Sequence, residues 1–116
     1  MPSTDAVERY LAALGRQDWE ALGACVTDDV VRIGPYNDVY EGRDAYVAFL
    51  ARTLASLKGY ELRVDRLIVA ATTVVAELSE TFDGPQGRMR TDEAIVFDLA
   101  TSGLIRRVGV FLRRTR

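Results

Sequence analysis

The 116-residue sequence contains no histidine and a single cysteine, Cys25. Without histidine, every nucleophile that relies on an imidazole base is excluded, Ser-His-Asp and Cys-His arrangements alike. The ligand types that build most zinc sites are missing for the same reason, so no metal and no cofactor is expected. One cysteine cannot close an internal disulfide, which fits a reducing compartment. Proton chemistry is left to Asp, Glu, Tyr, Lys or bound water. A charge excess is lacking too. Fifteen Lys and Arg against seventeen Asp and Glu leave a formal charge of −2, so nothing draws the whole chain to nucleic acid or to an anionic membrane. No apolar run approaches the roughly 20 residues that span a bilayer. The opening MPSTDAVERY has no basic stretch followed by an apolar one, so no signal peptide is expected. Together these absences predict a soluble, cytoplasmic protein. The one charge asymmetry is at the C-terminus (Arg106, Arg107, Arg113, Arg114, Arg116), readable as a solvated strand end or as an anion site.

What is present is enough apolar sequence, 48%, to build one core, and the length suits a single domain over residues 1–116. In STDAVERYLAALG, the residues Val7, Tyr10, Leu11 and Leu14 recur with helical spacing, with Ser3, Thr4 and Asp5 as candidate caps and Gly15 as a stop. DWEALGACV predicts a shorter helix capped by Asp18, with Trp19, Leu22 and Val26 on one face. DDVVRIG predicts a short strand, and GPYNDVYEG a loop. The third helix is expected over DAYVAFLARTLASLK, striped by Val47, Leu50, Leu54 and Leu57, with Lys58 in its last turn and Gly59 ending it. After Gly59 the apolar period changes from 3.6 to 2. YELRVDRLIVA, TVVAELSETF, RMRTDEAIVFDL and LIRRVGVFLRR read as four long antiparallel strands, broken at Thr72–Thr73, at DGPQG and at ATSG. Helices followed by strands predict an α+β layout, helices packed on one face of a sheet.

Alternation assigns the faces. Val74, Ala76, Leu78, Glu80 and Phe82 share one face of their strand. Met89, Thr91, Glu93, Ile95, Phe97 and Leu99 share one face of the next. If Asp83 pairs with Arg88, Leu78 lies opposite Glu93 and the two glutamates become diagonal neighbours, with backbones roughly 7–8 Å apart. The same logic places Val108 beside Ile95 and Val110 beside Glu93. A glutamate inside an apolar row is costly to bury unpaired. Either the two form a pair whose proton affinities are split, one serving as acid and the other as base, or they sit at an open sheet end or against an arginine. The other face (Glu77, Ser79, Thr81; Arg88, Arg90, Asp92) reads as a polar exterior or a salt-bridged subunit interface. Tyr10 could aim its hydroxyl into a cavity or be plain core. Trp19 is open in the same way. Tyr36 and Tyr40 flank a loop, and loops on rigid scaffolds often carry function.

The chain resembles the nuclear transport factor 2-like superfamily, which includes SnoaL-like cyclases, ketosteroid isomerase and limonene epoxide hydrolase. VERYLAALGRQDWEALGACVTDDVV, YEGRDAYVAFL and SGLIRRVGVF carry the resemblance. It implies a cone-shaped roll in which three N-terminal helices pack on a curved antiparallel sheet around a central pocket, often dimeric through the sheet. The resemblance places the isomerase's oxyanion tyrosine on Tyr10. It places the isomerase's basic aspartate on Gly34 and its second acid near Ile95, two residues beyond Glu93. The hydrolase's Arg-x-Asp matches Arg90, Thr91 and Asp92 in letters, but Arg90 and Asp92 face away from Glu93, and its third carboxylate falls on Gly109. The expectation is therefore a pocket for a small hydrophobic molecule, with Tyr10, Glu80 and Glu93 handling protons. Trp19, Tyr36, Asp38 and Tyr40 would line it, together with Thr91, Phe97 and Val110. The partner expected is a second copy of the chain. The competing expectation is a non-catalytic, dimeric binding module.

Overall fold

A computed structural model of the chain describes residues 4–113. The N-terminal apolar spacing yields α1 (Asp5–Arg16), with Val7, Tyr10, Leu11 and Leu14 buried as expected. Its ends differ from expectation. Ser3, Arg114 and Arg116 lie outside the described residues. Thr4 holds the N-cap position, yet its hydroxyl donates to the Glu8 carboxylate at 2.6 Å instead of capping a backbone N–H. The stop is Gln17, in the left-handed region at φ 58°, and not Gly15. Helix α2 (Trp19–Gly23) is capped by Asp18, which accepts from the Ala21 N–H at 3.1 Å. It is shorter than its apolar spacing suggested, and Val26 opens the first strand instead of closing the helix. Helix α3 (Arg43–Ala55) buries Tyr46, Leu50 and Leu54. Its stripe is thus rotated from the expected one: Val47 is only partly buried, and Leu57 lies past the helix end. Lys58 and Gly59 belong to the following strand.

The strands are β1 (Val26–Ile33), β2 (Val39–Glu41), β3 (Lys58–Ala70), β4 (Thr73–Gly84), β5 (Gly87–Leu99) and β6 (Ile105–Leu112). They form one open sheet in the order β2-β1-β6-β5-β4-β3. The sheet is mixed, a correction to the antiparallel expectation: β1 runs parallel to β6. Parallel neighbours are joined by long crossovers, and alternation within single strands carries no trace of such a pairing. Strand β2 was hidden in the expected loop because three residues are too few to show a period. It closes a hairpin on β1 through Gly34–Asp38, with Asn37 at φ 63° and the Gly34 N–H bonded to the Asp38 carbonyl.

The β4–β5 register is the expected one, with Asp83 opposite Arg88 and Leu78 opposite Glu93. The pairing runs to Gly84 opposite Gly87, so the tip is only Pro85–Gln86. The β3–β4 turn is Ala71–Thr72, one residue earlier than expected. The β5–β6 register differs by two residues. Val110 lies beside Ile95, and Leu112 lies beside Glu93. An irregularity between Asp98 and Leu99 takes up one residue of the difference, and the turn takes up the other by closing from the Ala100 N–H to the Leu104 carbonyl. A shift of two keeps every side chain on its face, so the face assignments survive.

The helices cover the concave face of the sheet. The core there contains Val30, Val74, Ala76, Leu78, Ile95, Phe97 and Val108, packed against Tyr10, Leu14, Tyr46 and Leu50. The result is a cone-shaped α+β architecture of three helices on a curved six-stranded sheet. The convex face is not uniformly polar. Its hairpin end carries the expected charges, among them Arg88 bonded to Asp83, Glu61 and Thr81. Across the middle, the registers align Ile68, Val75, Val96, Gly109, Ile33 and Val39 in one apolar row over all six strands.

Candidate functional site

Cross-strand pairing sets the concave face in rows. Leu62, Glu80 and Thr91 form one row, and Leu78, Glu93 and Leu112 the next. Val74, Phe97, Val108, Arg32 and Tyr40 form another, nearer the helices. The two glutamates meet as their alternation predicted. Glu93 is hydrogen-bonded to Glu80, and its acidity is weakened to a pKa of about 9. Burial is the largest cause, followed by the charge of Glu80 and the shared hydrogen bond. The Arg32 guanidinium pulls the other way. At neutral pH Glu93 therefore holds a proton next to an acceptor, the arrangement in which two carboxylates take different roles. The Tyr60 hydroxyl also donates to Glu80, and burial together with Glu80 pushes the Tyr60 phenol far up.

Tyr10 from α1 and Tyr46 from α3 share a hydrogen bond between their hydroxyls. Both are 1% exposed. Burial raises the Tyr10 phenol well above its ordinary value, and Tyr46 reinforces this. Burial likewise raises Tyr46, to about 12. Both phenols thus stay protonated, and either hydroxyl can be the donor in the bond they share. The Tyr10 ring meets Phe97 edge to face, with centroids 5.1 Å apart, so Phe97 is core under the tyrosine and not an exposed pocket wall. This helix-side end of the cluster is closed. Glu80, Thr91 and Glu93 are half-buried and make its open end.

Arg32 enters from β1. Its Nη1 donates to Asp38 Oδ2 at 2.7 Å, and its guanidinium lies 4.7 Å from the Phe49 ring centroid. Tyr40, the cross-strand partner of Arg32, stacks on Phe49 with centroids 4.1 Å apart. Burial pushes the Asp38 carboxyl up, but its own backbone N–H and the Arg32 charge outweigh this and hold it below the usual carboxylate range. These contacts explain Gly34. A Cβ there would sit 2.2 Å from Asp38 Oδ1 and 2.5 Å from Arg32 Nη1. The position to which the family resemblance assigns a basic aspartate is thus filled by an ion pair from neighbouring residues.

The expected pocket residues do not form a single pocket. A cleft of about 500 Å³ opens where β1 has ended and β6 is ending, while β5 runs on. Tyr36, Thr91 and Val110 line it together with Arg90, Arg107 and Arg113. Tyr36 stands 80% exposed at its rim. Asp38 and Tyr40 are engaged with Arg32 and Phe49. Trp19 lines a separate cleft between α2 and α3, beside Arg43 and Val47. Among the described residues, no group of His, Cys, Asp and Glu is arranged to hold a metal, and no helix is long and apolar enough to cross a membrane.

Three residues of the cluster were not singled out from the sequence. Arg32 carries the same signal as the glutamates, being a charge at an inward position of an apolar strand after Val30. Tyr60 alternates with Leu62 at the start of β3. Tyr46 lies four residues before Leu50, on the true stripe of α3, and a stripe begun at Val47 passes it by.

Comparison with known proteins fits this geometry. A search of curated proteins by sequence finds no match. A candidate ketosteroid isomerase of Kribbella flavida DSM 17836 superposes with a TM-score of 0.83 at 21% identity, covering 97% of this chain and 78% of the other. A Catenulispora acidiphila DSM 44928 protein with a ketosteroid isomerase-like fold, solved with trimethylamine, gives 0.83 at 17% identity over 94% and 85%. An LEH-like epoxide hydrolase of M. tuberculosis gives 0.79 at 22% identity over 94% and 80%. At these identities the likeness is one of fold. The SnoaL-like domain model matches residues 7–108, nearly the whole chain, and with the cone of helices on a curved sheet it shows that the chain belongs to the SnoaL-like family.

Proposed function

We propose that the protein is a cofactor-independent acid/base catalyst acting on a small, largely apolar carbonyl compound, by isomerisation, cyclisation or hydration. The observation that supports this best is the carboxyl pair: Glu93 keeps its proton beside Glu80 on an apolar concave face, with two buried phenols above. In an isomerisation, Glu80 accepts a proton from the carbon next to the carbonyl. The electron pair moves onto the carbonyl oxygen, and the Tyr10–Tyr46 phenols stabilise it by hydrogen bonding. Glu93 delivers a proton to the new carbon position, and the pair, still carrying one proton, resets.

The test is deuterium wash-in at the α-carbon of steroid enones and polyketide-like aromatic ketones, followed by NMR. The wild-type protein should catalyse it. Glu93→Gln should slow it by about 10²- to 10⁴-fold and Tyr10→Phe by about 10²- to 10³-fold. If no compound that binds exchanges faster than in buffer, the catalytic reading fails.

Two observations favour the non-catalytic alternative: Gly34 stands where the resemblance puts a base, and Tyr10 is closed off from solvent. A thermal-shift response without exchange would be its signature. In either case the assembly we propose is a homodimer formed through the convex face, where the apolar row Ile68–Val39 has no covering layer among the described residues. Neither nucleic acid nor membrane has a matching surface in this proposal.

A further inference from the structure

The buried cation of the concave face is not accounted for by proton transfer. Arg32 keeps only 8% of its surface exposed. Its Nη1 is bonded to Asp38 and its face lies against Phe49, but its Nε is buried without a hydrogen-bond partner among the described residues. Leaving a buried charged donor unpaired is costly, and folded proteins keep few such groups without a reason. A guanidinium binds a carboxylate through two parallel N–H bonds along one edge. With Nη1 engaged, the edge formed by Nε and Nη2 remains. Phe49, over which the guanidinium lies, is stacked on Tyr40 and supplies an aromatic wall beside this group.

We propose that Arg32 anchors the carboxylate of a small ring-bearing organic acid, so that the ligand of the concave site is an anionic carbonyl compound. The proposal deepens the acid/base reading in naming the substrate class, but the binding it describes stands apart from catalysis. Asp38 is the internal competitor. It reaches Arg32 from the β1–β2 loop with its side chain 37% exposed, and it already neutralises part of the charge that the ligand would meet.

The experiment titrates benzoate and cyclohexanecarboxylate, with benzamide and cyclohexanecarboxamide as neutral counterparts, into the full chain. Dissociation constants come from ligand-observed NMR, and melting temperatures are read in parallel. Both acids should raise the melting temperature, and both amides should bind at least tenfold more weakly. Arg32→Gln should weaken the acids by about 10- to 100-fold, the range for a lost charge-assisted hydrogen-bonded contact. Asp38→Asn should tighten them several-fold. Arg107→Gln, in the outer cleft rimmed by Tyr36, should leave them unchanged. Acids that bind Arg32→Gln as well as wild type overturn the proposal, as do amides that bind equally well or an effect confined to Arg107→Gln. So does the absence of any response to the acids. If Arg32→Gln does not fold, the Asp38→Asn arm decides, and unchanged or weaker binding there overturns the proposal. Acids that bind through Arg32 without proton exchange on any substrate would sink the catalytic reading alone. Exchange on neutral ketones with no acid bound would sink this inference alone.

Discussion

At the scale of single residues, Glu93 and Gly34 show opposite uses of space. Glu93 is a carboxyl forced to stay neutral. In an unfolded chain it would titrate near 4.5, whereas in the fold it does so at about 9. Between those values the folded state binds a proton that the unfolded state has released, so folding stability falls as pH rises through this window. Below it, both states are protonated and the difference vanishes. Chemical denaturation from pH 4 to pH 9 should therefore show a decline, and Glu93→Gln should flatten it. An unchanged slope in the variant would place the titration elsewhere. Gly34 is needed for room, since an added methyl would press on the Arg32–Asp38 pair. Gly34→Ala should cost roughly 1–3 kcal/mol, as overpacking does, and much less in an Asp38→Ala background. Equal costs in the two backgrounds, measured by urea unfolding, would refute this explanation. Glu93 and Glu80 were legible in the sequence because a charge interrupted an apolar alternation. The reason for Gly34 was not, because the atoms that exclude a side chain there come from Arg32 and from across a loop.

At the scale of elements, local rules hold where they are local. Asp18 caps α2 as its position before a short apolar helix suggests, and Asp18→Ala should lower stability by about 1 kcal/mol. No change in the urea midpoint would mean that tertiary packing, not the cap, holds this five-residue helix. The β4–β5 hairpin kept its expected register because turn chemistry and alternation agree there. The β5–β6 register slipped by two because the turn closes one residue later, at Leu104, and an irregularity at Asp98/Leu99 adds one more; both are matters of backbone geometry that side-chain pattern does not encode. Strand β2 and its hairpin escaped notice because three residues carry no period, yet that hairpin brings Asp38 to Arg32 and so completes the polar cluster.

At the scale of the whole molecule, the convex row from Ile68 to Val39 is a band of exposed and half-exposed apolar side chains. Phe111, 61% exposed, stands in the adjoining row. Apolar bands of this kind are where proteins associate, and this is the face through which we propose the dimer forms. Gly109 flattens the middle of the row, and the flanking pairs Arg66–Glu77 and Asp98 opposite Arg107 offer both signs of charge to a two-fold copy. Phe111→Asp should shift the protein from dimer to monomer in light scattering at micromolar concentration, with the melting temperature falling as dimer support is lost. A wild-type monomer under the same conditions would rule out this assembly.

The sequence by itself determined the type of every element but β2, the inward stripe of α1, the two faces of β4 and β5, and the meeting of Glu80 with Glu93. Each of these depends on periods and pairings within a few residues or across one tight turn. Tertiary structure alone decided the parallel pairing of β1 with β6, the Tyr10–Tyr46 bond, the packing of Arg32 on Phe49 and the apolar row across six strands. These join segments far apart in the chain, and their geometry is set by how separate elements close on one another, which no local pattern of residues records.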